Sequence, residues 1–145
     1  MAEDVSAIMR DTYDSVPDDI YLPTGEYMFR ITGFKVGYQP NDKHTPFVQW
    51  TLRPVGLLDS SINDEDLVNA FPVYDKMWLS QAAKRIAKRW FENVLGFDTT
   101  GLENEQLFEM AVGQEIRVAV VQNEPRKEGD DPYVKVDRYL RKASD

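Results

Sequence analysis

Few residues of this chain could perform covalent or acid–base chemistry. Its single histidine, His44, stands beside Asp42 and Lys43 in a polar stretch, and there is no cysteine. One imidazole makes neither a metal site nor an acid–base pair. No glycine-rich phosphate loop, serine elbow or zinc-binding helix motif occurs. Asp75-Lys76 is the nearest approach to a nuclease's carboxylate and lysine, with no second carboxylate beside it. Asp64-Glu65-Asp66 lacks the ligand spacing of a calcium loop and reads as a solvated loop. No catalytic residue, metal site or cofactor is expected.

What the chain offers instead is rings interleaved with cations and amides. Arg30, Lys35, Tyr38, Lys43, Phe47, Gln49 and Arg53 fall between residues 25 and 54, Tyr74, Lys76 and Trp78 at alternate positions further on, and Arg126 and Lys127 in a late charged stretch. Rings can stack on bases while cations track phosphates, a combination that tolerates any base sequence.

The elements that must position these residues are strands. Tyr27, Phe29 and Ile31 alternate with Met28, Arg30 and Thr32, the period of a half-buried strand over Gly25–Val36. Gly33 breaks the count, and Phe34 and Val36 return inward only if a bulge absorbs one residue. A second strand, Pro46–Pro54, turns Val48, Trp50 and Leu52 inward and Phe47, Gln49, Thr51 and Arg53 outward, after the loop Gly37–Thr45. A third, Ala70–Leu79, places Phe71, Val73, Met77 and Leu79 inward with Asp75 among them, and Tyr74, Lys76 and Trp78 outward. Trp78 therefore has two readings, stacking or packing.

Ser80 is an N-cap for a helix over Gln81–Leu95, which Gly96 ends. Ala83, Ile86, Ala87, Trp90 and Val94 form its apolar stripe, and Lys84, Arg85, Lys88 and Arg89 the opposite face, read first as solvated. A short helix over 103–111, a strand over Glu115–Gln122, the exposed loop Asn123–Pro132 and a last strand over Tyr133–Leu140 complete the chain. Residues 1–22 form an acidic, loosely ordered arm and 23–145 one domain.

A net charge of −8 at first argues against a nucleic-acid partner. Its distribution does not. Residues 1–22 hold six acids against one base, whereas residues 23–58 hold four bases against two acids and 67–101 five against three. No apolar run reaches membrane-spanning length, and the acidic start is unlike a signal peptide, so a cytoplasmic protein is expected.

Three strands, a helix and two strands is the order of the OB-fold, a five-stranded barrel that binds oligonucleotides over its second and third strands and flanking loops. The runs LPTGEYMFRITGFKVG, TPFVQWTL, FENVLGFD and AVGQEIRVAVVQNEPRKEGDDPYVKVDRYL, spanning about residues 20–140, resemble the small phage-encoded single-stranded-DNA-binding proteins of OB-fold type. The resemblance rests on Pro23-Thr24-Gly25-Glu26-Tyr27 leading into the first strand, on the aromatic second strand, and on the glycine before the fourth. It implies a non-enzymatic accessory of phage DNA replication or recombination that coats single strands in the host cytoplasm. The implied partners are single-stranded DNA and replication or recombination proteins, with self-association left open. Phe47, Tyr74 and Trp78, and more weakly Tyr38, are the expected stacking platforms, with Gln49 beside them. Arg30, Lys35, Lys43, Arg53, Lys76, Arg126 and Lys127 are the expected source of charge. A protein-interaction barrel, as in a virion component or inhibitor, is the alternative, because such folds host many functions.

Overall fold

The computed structural model describes residues 5–10, 12, 19–40, 43–125, 127 and 129–141. Strands β1 (Gly25–Tyr38) and β2 (Pro46–Asp59) form a long antiparallel pair. Tyr27, Phe29 and Ile31 are buried on one side of it, and Val48, Trp50 and Leu52 share that side. The expected bulge is present: Ile31 pairs with Leu52 but Gly33 with Thr51, leaving Thr32 without a counterpart. One extra residue inverts the alternation. Phe34 thereby comes to face the core, its ring 5.9 Å from that of Trp50 and 5.5 Å from that of Phe108.

β2 does not stop at Pro54, as the sequence suggests, but continues to Asp59. Met28 pairs with Gly56 and Phe29 with Pro54, so Val55 is a second bulge residue. A proline beside a bulge omits a hydrogen bond that the ladder does not require there. The longer strand brings Asp59 and Ser60 against Gly25, where a β-carbon would lie 2.5 Å from the Asp59 carbonyl oxygen. The Tyr27 hydroxyl fixes this corner by donating to the Pro23 carbonyl at 2.6 Å and meeting Ser60 Oγ.

Beyond β2, the stretch up to Asn69 is not the exposed connection expected from the sequence. Helix α2 (Asp64–Asn69), which follows an exposed α1 (Val5–Arg10), begins at Asn63, whose side chain accepts from the Asp66 amide at 2.8 Å. The acidic triplet fills its first turn, where helix-end partial charge favours carboxylates. Leu67 and Ile62 are buried beneath it.

β3 (Val73–Trp78), β4 (Glu115–Asn123) and β5 (Tyr133–Tyr139) complete one antiparallel sheet in the order β3-β2-β1-β4-β5. The sheet is not closed into a hydrogen-bonded barrel, which corrects the closed architecture expected from the sequence. Side chains bridge the two free edges instead: the Tyr139 hydroxyl donates to the Asp75 carboxylate, and its ring packs edge-on against Trp90. Asp75 thus lies inward, as its strand phase requires, with a partner that makes this tolerable.

The helical block between β3 and β4 covers the open side of the core. Ser80 Oγ accepts from the Ala83 amide at 3.2 Å, the regular helix α3 covers only Lys84–Arg89, and Trp90–Val94 form a π-turn. Gly96, at φ 74°, ends it as a left-handed glycine cap, with the Phe97 amide donating to the Phe91 carbonyl. The wider turn rotates the buried stripe. Trp90, Phe91, Val94 and Leu95 are buried, whereas Ile86, expected in the stripe, is 65% exposed. Trp90 stacks on Trp50 with ring centres 5.0 Å apart and planes at 21°. Helix α4 (Asn104–Ala111), closed by a Glu103/Gln106 capping box, adds Leu107 and Phe108. No helix among the described residues is long and apolar enough to cross a membrane.

Candidate nucleic-acid interface

Paired residues on adjacent strands project to the same side, so the register lays out the outer face of β1, β2 and β3 rung by rung. Gly37, Phe47 and Trp78 form the first rung, Lys35, Gln49 and Lys76 the second, and Gly33, Thr51 and Tyr74 the third. Arg30 and Arg53 form the pair beyond them. Eight of the residues expected at the site, Arg30, Lys35, Phe47, Gln49, Arg53, Tyr74, Lys76 and Trp78, therefore share one surface.

The three rings on this surface differ. Tyr74 is 55% and Trp78 39% exposed, so both remain partly open to solvent. Phe47 stands on the outer side but is only 8% exposed. Its ring meets Trp78 edge-on at 6.0 Å, carries Lys76 Nζ above it at 4.5 Å, and closes on Gly37, where an added β-carbon would lie 3.1 Å from the ring. As a stacking platform Phe47 is covered; as a support it fixes Trp78 and Lys76. Tyr74 and Trp78 lie four residues apart on one strand, about 13 Å, and so would receive different bases.

Among the cations, Arg30 is engaged by Glu115 at 3.3 Å. Within the described residues Lys35, Arg53 and Lys76 take part in no ion pair. Gly33 leaves the β1 side of the third rung open, with nothing within 4 Å of where a β-carbon would stand. Thr51, absent from the expected set, sits between Gly33 and Tyr74 as a polar group of the same face. Its strand phase was the available signal.

The remaining expected residues are not brought onto these rungs. Tyr38 is exposed at the end of β1, on the opposite side from Gly37. Lys43 is exposed in the β1–β2 loop, where His44 takes a positive φ of 46°. Lys127 is exposed in the β4–β5 loop, and Arg126 lies outside the described residues. Behind the face, burial pushes the Asp75 carboxyl up from the ordinary carboxylate range, only partly offset by hydrogen bonds from Tyr139 and the Lys76 backbone. Burial and the neighbouring carboxylate raise the Tyr139 phenol well above its usual value. This pair belongs to the seam between β3 and β5, not to the outer face. No protein-family model and no curated protein matches the chain.

Proposed function

We propose that the protein binds single-stranded DNA, with little sequence preference, across the outer face of β1–β3, as a non-enzymatic accessory of phage DNA replication or recombination. The observation that carries the reading is the rung register: it sets the exposed rings of Tyr74 and Trp78 on the same face as Lys35, Arg53 and Lys76. Rings for bases and cations for phosphates on one strand surface are the two components sequence-tolerant single-strand binding needs. We read the fold as an OB-fold opened between β3 and β5, because β1 lies between β2 and β4 and the main helix follows β3. Partly open five-stranded barrels of this kind use the strand 2–3 face for oligonucleotides. Lys43 and the β4–β5 loop with Arg126 and Lys127 would extend the phosphate track beyond the rungs.

A fluorescence titration with oligo-dT at moderate salt tests the reading. Trp50 and Trp90 are buried, leaving Trp78 as the exposed indole. Saturable quenching that is largely lost in Trp78→Phe supports the proposal. No retention of oligo-dT in a parallel gel shift rejects it.

A further inference from the structure

A second aromatic surface lies beside the proposed interface. Tyr21, Phe71, Tyr74 and Tyr133, with Pro72 and Pro132, line a groove of about 300 Å³ between the start of β3 and the start of β5. The Tyr21 and Phe71 rings are in contact at 5.1 Å, yet Phe71 and Tyr133 remain 43% and 42% exposed. The walls are held in place: the Phe71 amide donates to the Ile20 carbonyl at 3.0 Å and the Gln122 side chain donates to the Tyr21 carbonyl at 3.2 Å. None of the lining residues is cationic. Exposed carboxylates flank it instead: Asp131 adjoins Pro132 and Asp19 stands two residues before Tyr21, and after burial these two charges push the Tyr21 phenol above its ordinary value.

We propose that this groove docks a proline-rich peptide segment of a partner protein that carries a basic residue at its flank. Ridges of aromatic rings match the faces of a polyproline helix, whose ordered backbone loses little entropy on binding. Phenol hydroxyls at the rim can donate to its carbonyls, which have no intrahelical partner. Asp131 and Asp19 supply the complement to the basic flank and oppose a phosphodiester chain. The groove is thus distinct in charge from the Lys35, Arg53 and Lys76 face, although Tyr74 borders both.

Fluorescence anisotropy with a dye-labelled oligoproline peptide ending in arginine tests the proposal, beside the same peptide ending in glutamate and labelled oligo-dT. The arginine peptide should bind saturably and more tightly than the glutamate peptide. Phe71→Ala and Tyr133→Ala should each weaken it by about tenfold or more, as for an aromatic anchor, while thermal melting confirms that both variants are folded. Asp131→Asn should erase the preference for arginine over glutamate. Absence of saturable peptide binding overturns the proposal, as does unchanged affinity in folded Phe71→Ala and Tyr133→Ala. If those two variants weaken oligo-dT binding and not peptide binding, the groove belongs to nucleic acid and the proposal also falls.

Discussion

Single side chains on the outer face divide into those that offer a surface and those that build it. Trp78 offers one: Trp78→Phe should remove most of the oligo-dT-induced quench while keeping part of the affinity, since phenylalanine retains a π-face. Stacking is worth roughly 1–3 kcal/mol per base by truncation. Tyr74→Ala should weaken binding within that range and barely change the melting temperature, because its ring is 55% exposed. Phe47 builds. Phe47→Ala should cost about 3 kcal/mol of stability, toward the low end for a buried phenylalanine, measurable by urea unfolding, and weaken DNA binding through loss of support for Trp78. The outward phase of Phe47 was legible from two-residue alternation, but its burial was not. Alternation assigns a face, whereas coverage of Phe47 depends on Trp78, Lys76 and Gly37, which the fold brings to it from the two flanking strands.

Element by element, legibility followed local signals. Gly33 marked the bulge, Ser80 and Gly96 the limits of the helical turns, and Val73 and Met77 the inward phase of β3, against which the charge of Asp75 spoke. Signals that depend on a partner were misread. Pro54 suggested a strand end because its bulge lies in the pairing with β1, and Ile86 suggested core because the π-turn at Trp90 shifts the buried stripe. The acidic triplet read as loop although Asn63 before it is a sound N-cap. The seam between β3 and β5 carries a pH dependence. Asp75 has a raised pKa in the folded state, so the native chain binds a proton more readily than the unfolded one and gains stability as pH falls through that range. At neutral pH the ionised carboxylate is the less favourable form. Asp75→Asn, which can still accept from Tyr139, should therefore match or exceed the wild-type melting temperature at neutral pH. That advantage should shrink toward about pH 4, near the ordinary aspartate pKa. A variant destabilised more at pH 7 than at low pH would contradict the assignment.

For the whole molecule, the question is how a protein of net charge −8 holds a polyanion. Charge is segregated: bases concentrate on the β1–β3 face and on α3, acids in residues 1–18 and in α2. Removing residues 1–18, while keeping Ile20 bridged to Ala70 and Leu22 buried, should tighten oligo-dT binding at low salt. The gain should fade as screening lengths shorten. Lys35→Ala and Lys76→Ala should each flatten the dependence of log affinity on log salt by about 0.7, the value for one contact to a single strand. The most direct test of where the strand lies is the change in backbone amide NMR shifts on adding oligo-dT to the full chain. The largest changes should fall on Lys35, Gln49, Thr51, Tyr74, Lys76 and Trp78. Changes confined to the basic face of α3, or no changes at saturating oligo-dT, would contradict that placement.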